Sequence, residues 1–466
     1  MTWSASPARW LWFAYAIAAA SFVPTLFFHY VGEEAIFPLS SLEMWHRGDW
    51  VRQTIYGSHV QHTPLFNWLI IAVAGAVGWE HVLVVARAIT IAATCLTGLV
   101  VAGLAQALWA NRGLTAFSAL AYVTLADVFF YRGWLAYVDP LFALFTAAAV
   151  AALWIACHRG QPGWLWAAAV ALTLALLSKA LTAYVFYGLA AAVLFAGNRG
   201  YRAFLLSPAS WLAHAAALAL PLGWFFLVPA AGGQGSRLLA DVLLKLAPQG
   251  LADYLVKLAA FPADAALRLA PVPFIAAYYL WRQRGTAKGG GREAHTALWI
   301  AAVNFLPYWI APQSAIRYLM PLYPFVALAA AWAIWRAGAS AVKVTLRWLA
   351  AVLVLKLVLV LAVFPYYQSH YRGEDHWLAA RDIHARTAGH RLYTRDDSAS
   401  GLSVSAHLDL MRLPQAPLTF PPAAWDDAFL ISPAPGASEE SVVRQYRVGR
   451  NDLYLLCRGA ACRGGR

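Results

Sequence analysis

The residues able to do chemistry stand at the ends of apolar runs. Glu33 and Glu34 follow directly on the first such run, and Asp139 opens a later one in Tyr137-Val138-Asp139-Pro140. Adjacent carboxylates at a lipid boundary repel each other and lose hydration, so one of them needs a partner. A carboxylate held there suits a general base or a metal ligand. The plainer reading is a solvated helix start, where negative charge complements the helix dipole. Asp139 before Pro140 is likewise ordinary capping chemistry. Against that stand the expense of a carboxylate at the boundary and its place on the same membrane face as Glu33 and Glu34.

Three cations share that face: Arg132, Lys179 in Leu177-Ser178-Lys179-Ala180, and Arg317 in Ile316-Arg317-Tyr318-Leu319-Met320-Pro321. Each is able to snorkel to head groups, and together they suit the phosphate of a lipid. The loop over 29–62 adds Glu43, Asp49, Arg52, His59 and His62. For a metal the candidates are His29, His59, His62 and Glu80, with no HExxH or comparable spacing. No metal ligand is therefore assigned, no cofactor is certain, and a divalent metal stays open. P-loop, GxGxxG and GxSxG patterns are absent, which leaves a nucleotide-driven reaction and a serine hydrolase without visible machinery. Arg87 and Lys356 lie inside apolar runs, and whether they face a cavity is open.

The elements that position these groups follow from composition. Of 466 residues, 61% are hydrophobic and only 12% charged, with mean hydropathy +0.57. Soluble domains carry about 25% charged residues, so a soluble enzyme, a disordered chain and a collagen-like chain are excluded. The net charge of +13 does not point to nucleic acid. The tail from 366 to 466 has 12 basic and 11 acidic residues, and the excess lies in short loops between apolar runs. One loop set holds Arg9, Arg112, Arg159, Arg199, Arg202, Arg282, Arg284, Lys288, Arg292, Arg336, Lys343 and Arg347, with Glu293 as its single acid. By the positive-inside rule that set is cytoplasmic.

This phasing predicts an α-helical polytopic membrane protein of about 11 spans, over 10–28, 82–109, 114–131, 139–157, 164–177, 181–196, 208–230, 264–281, 294–311, 316–335 and 346–364. The N-terminus is then inside and the tail outside. The segment 64–78 is too short to span and reads as a juxtamembrane helix (64–79). The first run is long enough to span and lacks a clear cleavage site, so no cleavable leader is expected. No fixed-period repeat is visible, which weakens a transporter of inverted repeats. Residues 1–365 thus form a transmembrane domain with a candidate catalytic outer loop over 29–63. The polar tail, 366–466, reads as a small extracytoplasmic α/β domain with β-like runs at 402–404, 429–431 and 453–456. Whether Cys457 and Cys462 pair as a disulfide is open; an oxidising side would allow it.

The ordered motifs resemble a family. The acidic pair is followed by Gly48-Asp49-Trp50, Gly57 and Thr63-Pro64-Leu65-Phe66-Asn67-Trp68-Leu69. Then come Asp139-Pro140, Leu177-Ser178-Lys179 and Arg317-Tyr318-Leu319-Met320-Pro321-Leu322-Tyr323-Pro324. Over roughly the first 335 residues this is similar to the bacterial GT-C membrane glycosyltransferases. Within them it most resembles the 4-amino-4-deoxy-L-arabinose lipid A transferases and the protein O-mannosyltransferases. The resemblance implies inverting transfer of a sugar from a polyprenyl-phosphate donor to a lipid, glycan or protein acceptor at the outer face of a bacterial inner membrane. It also carries roles onto residues. The acidic pair falls on Glu33-Glu34 and the second carboxylate on Asp139, which makes these three the catalytic candidates. The family's Lys before Pro-Pro-Leu falls on His62, a later Lys on Lys179, and the Tyr of a Tyr-x-Leu-Pro segment on Tyr318.

With those positions matched, Arg132, Lys179, Arg317 and His62 become the candidates for the donor phosphate, and Tyr318, Arg52 and His59 for substrate. Three positions depart from the family: Glu33 stands for Asp, His62 for Lys, and Ile36-Phe37 for Arg-Tyr, so sugar and acceptor are left open. The rival readings are a transporter or flippase for a lipid-linked solute and a non-catalytic membrane subunit. The first calls for ionisable residues buried mid-membrane in paired halves, whereas these charges gather at one face.

Overall fold

The computed structural model describes residues 6–60, 63–179, 181–228, 240, 243–244, 246, 250–283, 291–371, 375–436, 439–449 and 451–464. Among them, six helices are long and apolar enough to cross a membrane: Ala8–Phe27, Trp79–Trp109, Asp139–Arg159, Pro208–Leu227, Ile316–Arg336 and Ala339–His370. A seventh unit is a bent pair, Leu251–Arg268 and Val272–Arg282, broken by 94°. Pro271 sits at that break and cannot donate a backbone hydrogen bond.

Several expected spans therefore differ from straight helices. The run over 114–131 divides into α5, Arg112–Val123, and a π-helical turn, Asp127–Arg132. The run over 264–281 is the bent pair. The runs over 164–177 and 181–196 are shorter apolar helices, α7 (Gly163–Ser178) and α8 (Thr182–Gly197). The segment 64–79 contains a 13-residue helix, α3 (Leu65–Val77), followed by a short turn into α4, Val82–Trp109.

Local chemistry sets the boundaries. Asn111 caps α5 by accepting from Leu114 N at 3.0 Å, an ordinary start for a helix whose first N–H groups lack partners. The helix of the first loop, α2 (Ile36–Arg47), ends at Gly48 with φ of 63°, a left-handed conformation that glycine adopts without penalty. Beyond it, β1 (Thr54–Ile55) and β2 (Ser58–His59) form a hairpin whose turn residues, Tyr56 and Gly57, both have positive φ. That is the primed geometry favoured by strand twist.

The two ends of the helical body are distinguished by what meets there. At one, Arg292 donates to Gly197 O at 2.7 Å and His158 meets Tyr201 at 3.2 Å, so loops of the basic set converge. At the other stand the 29–60 loop and the tail. The tail builds a four-stranded sheet ordered β3-β4-β6-β5, from Arg391–Thr394, Ala428–Ser432, Asn451–Arg458 and Ser441–Val448. The pair β3–β4 is parallel and the rest antiparallel.

The expected runs at 429–431 and 453–456 are strands, in β4 and β6. The run at 402–404 is helical, inside Ala399–Met411. Ser398 caps that helix at Gly401 N, and a short apolar run fits either element by periodicity alone. Cys457 and Cys462 form a disulfide.

The tail's core also holds Tyr30, Ala35, Leu39 and Tyr56 from the first loop. Tyr56 donates to Asp396 O at 3.2 Å and its carbonyl accepts from Phe420 N at 3.2 Å. The first loop is thus clamped between membrane helices and tail.

Candidate active site

Glu34 is fully buried against an equally buried Arg87 of α4. The guanidinium reaches it twice, Nε at 2.9 Å and Nη2 at 2.5 Å. Backbone N–H groups of Val31 (2.8 Å) and Ala136 (2.7 Å) donate to the same carboxylate. Arg87 spends its remaining donors on carbonyls of Thr25, Phe28 and His29 at the end of the first span. A charge pair taken out of water is tolerated when every lone pair and proton is matched, and here the clamp fastens the first span to α4 and to the segment before Asp139. Its acceptor capacity is occupied.

Glu33 has the opposite surroundings. Its N–H donates to the Tyr137 hydroxyl at 3.1 Å, and Gly32, at φ of 60°, turns the chain beside that hydroxyl. The carboxylate itself is exposed and accepts no hydrogen bond from any described residue. It lies within electrostatic reach of Arg317.

Around it the remaining charges converge. Lys179, at the end of α7, forms an ion pair with buried Asp139 at the start of α6 (Asp139–Arg159). Arg132 and Arg317 both act electrostatically on Asp139. Tyr318 supplies an aromatic floor, with Lys179 Nζ 4.8 Å and the Arg317 guanidinium 5.4 Å from its ring centroid. Such placement favours the cation when water is excluded. The Nε groups of Arg132 and Arg317 are buried without a hydrogen-bond partner among the described residues. Buried donors in folded proteins are normally satisfied, so two such guanidinium donors, both acting on Asp139, suit an anionic ligand.

Asp127 is not among the residues the sequence singles out, because it lies inside one apolar run over 114–131. It is buried, accepts from Arg268 Nη1 and the Tyr323 hydroxyl, each at 2.9 Å, and lies 3.2 Å from Arg132 Nε. An acidic residue amid Leu, Val and Phe was the available signal.

Other candidates lie differently. Arg52 is exposed and bonds Asp49 at 2.7 Å, closing its own loop. His59 is exposed on β2. His62 lies outside the described residues. Glu43 is inward, receiving Thr54 Oγ1 and Tyr56 N at 2.5 Å and Gly57 N at 3.3 Å, so it caps the hairpin turn. Burial raises its carboxyl above the ordinary range. Across the interface, Asp409 accepts from Leu418 N at 2.8 Å, and burial pushes it up to about 7. Lys356 is buried away from the cluster, its Nζ 3.3 Å from the Phe22 ring centroid. Among the described residues, no three His, Cys, Asp or Glu side chains gather in a metal-holding group. A cavity of about 640 Å³ opens between the tail-side ends of the first and last spans, lined by Phe27, Phe28, His29, Gln368 and Asp375 among others. It includes none of the charged cluster.

Residues 40–231 match the dolichyl-phosphate-mannose-protein mannosyltransferase family. ArnT from Cupriavidus metallidurans, solved bound to undecaprenyl phosphate, shares 16% identity and a TM-score of 0.69, over 97% of this chain and 98% of its own. Its apo state gives 0.63 at 17% identity, with the same coverage. AglB from Archaeoglobus fulgidus, an oligosaccharyltransferase solved with an inhibitory peptide and a dolichol-phosphate, gives 0.56 at 14% identity, over 87% of this chain and 64% of that one. No curated protein sequence matches the chain. The protein is a multi-pass membrane protein with the GT-C glycosyltransferase fold, as the ordered motifs imply.

Proposed function

We propose that this protein transfers a sugar from a polyprenyl-phosphate donor to an acceptor hydroxyl, with inversion, and that Glu33 is the base. The observation that carries this reading is the contrast in pairing within the charged cluster. Glu33 is an unengaged carboxylate within electrostatic reach of Arg317, and the buried Nε–H groups of Arg317 and Arg132, which both act on Asp139, make no hydrogen bond among the described residues. The undecaprenyl phosphate bound to ArnT, which shares the fold, supports a lipid phosphate as the missing acceptor of those donors.

In the reaction, the acceptor oxygen attacks C1 as its proton passes to Glu33. The C1–O bond to phosphate breaks, and the electron pair leaves with polyprenyl phosphate. Negative charge grows on that phosphate in the transition state, where Arg132, Arg317 and Lys179 stabilise it. Asp139 is committed to Lys179 and holds the ammonium in place. Tyr318 completes the floor under both cations. Glu34 acts as a mount, since its oxygens are occupied. A base of this kind contributes about 10²–10⁴-fold.

The bacterial inner membrane, with the tail in the periplasm, is the matching location. The tail disulfide suits an oxidising side, and the opposite end gathers basic loops.

The test is purified protein with a panel of radiolabelled polyprenyl-phosphate sugars, following release of polyprenyl phosphate in the presence of envelope lipid, glycan and peptide acceptors. Release from one donor that disappears in Glu33→Gln supports the reading. Release that is unchanged in both Glu33→Gln and Asp139→Asn removes the assignment.

A further inference from the structure

We propose that Asp127 is a positioning residue for the donor phosphate, holding Arg132 toward the cleft and tying it to the Leu251–Arg268 helix. This rests on the reading of the cleft as a polyprenyl-phosphate site.

The first observation is the backbone. Between α5 and α6 the chain makes a π-helical turn, Asp127–Arg132, a conformation often found at functional sites. Its closure is the bond from Gly133 N to Val128 O at 3.0 Å. A Cβ added at Gly133 would lie 2.3 Å from that oxygen, so the turn requires glycine there. Thr94 of α4 fastens the same point by donating to Gly133 O at 2.9 Å. The wide turn brings the first and last residues of the segment, Asp127 and Arg132, within 3.2 Å.

The second is how Asp127 divides its oxygens. Oδ1 takes Arg268 Nη1, and Oδ2 takes the Tyr323 hydroxyl while lying near Arg132 Nε. The Arg132 Nε–H makes no hydrogen bond with it. The carboxylate therefore attracts the guanidinium yet leaves that donor for a ligand. A carboxylate only 4% exposed at a lipid boundary is costly unless paired, and one cation would have sufficed to pair it.

The third is the second tie. Ala126 N donates to Ala270 O at 2.7 Å, just beyond Arg268. The π turn is thus anchored twice to the end of the Leu251–Arg268 helix. A shift of that helix would be felt by Arg132 through Asp127.

Undecaprenyl phosphate binding is the measurement, on full-length protein in detergent, for wild type, Asp127→Asn, Arg132→Gln and the double variant. Asn keeps an oxygen for Arg268 and Tyr323 but removes the charge. The expected result is about tenfold weaker binding in Asp127→Asn and less than about twofold further loss when Arg132 is already Gln, because residues acting through one another are non-additive. Should Asp127→Asn fail to fold, Tyr323→Phe removes one hydrogen bond and leaves the charge. It is expected to weaken binding about threefold, again only when Arg132 is present. Equal losses in the presence and absence of Arg132, or no loss, overturn the positioning role while leaving the cleft's assignment intact. Failure of the wild-type protein to bind undecaprenyl phosphate overturns the cleft's assignment and this inference with it.

Discussion

Glu33 and Glu34 are neighbours in the chain and opposites in the molecule. Glu34 is sealed, with a bidentate arginine and two backbone donors. Glu33 is exposed, its backbone fixed by Tyr137 while its carboxylate is left open. The difference teaches that a carboxylate pair at a membrane boundary divides its work. One member is paired so that the loop has a rigid root, and the other is left open on a held backbone, as the proposed base requires. The same division recurs between Arg87, all of whose donors are used, and Arg317, whose Nε is not.

Breaking the sealed side should have the largest effect on the fold. Glu34→Ala or Arg87→Ala leaves an uncompensated buried charge and should destabilise by about 3–5 kcal/mol. In practice the protein should express poorly or melt many degrees lower in detergent. An unchanged melting temperature would show that the clamp is incidental. On the open side, Arg317→Gln should reduce transfer about a hundredfold, through removal of one preorganised donor to the leaving phosphate, with the melting temperature held. Steady-state kinetics with a polyprenyl-phosphate donor decides between the two patterns.

A smaller effect sharpens the comparison at the clamp on the tail. Asp409 faces Glu43, Arg412 and the Leu418 N–H. Its folded value, about 7, lies above its unfolded one. The stability it contributes is therefore fully present below the unfolded value and is lost as pH rises through the folded one. Between pH 5 and pH 8 the loss should be about 2 kcal/mol, seen as a falling melting temperature. Asp409→Asn should flatten that slope, and an equal slope in the variant would assign it to another group. The smallest effect is expected at Arg52, an exposed partner of Asp49. Arg52→Ala should change stability by less than about 1 kcal/mol and should leave transfer within a few-fold in the same assay.

Much of the fold was legible because lipid imposes long apolar runs with capped ends. Of the loops that sort together by charge, those near 158, 197–201 and 292 also meet in space. The tail's strands at 429–431 and 453–456 followed from apolar runs in a polar setting. What escaped depends on contacts far along the chain. Arg87 lies 53 residues from Glu34, inside a span, and no local pattern links the two. Asp127 is concealed because α5 and the π turn share one apolar run, and the break between Arg268 and Val272 falls inside a run whose pattern reads as one helix. At the candidate site, residue types and their common face could be read from the sequence. Which carboxylate is sealed could not, since that is decided by donors from α4 and from Ala136.

The most direct measurement compares Glu33→Gln with Glu34→Gln in one preparation, following release of polyprenyl phosphate from the donor the wild type uses together with thermal unfolding. The account predicts that Glu33→Gln unfolds and binds undecaprenyl phosphate as the wild type does but loses transfer by at least about a hundredfold, whereas Glu34→Gln loses stability. Near-normal transfer by a stable Glu33→Gln protein would contradict it.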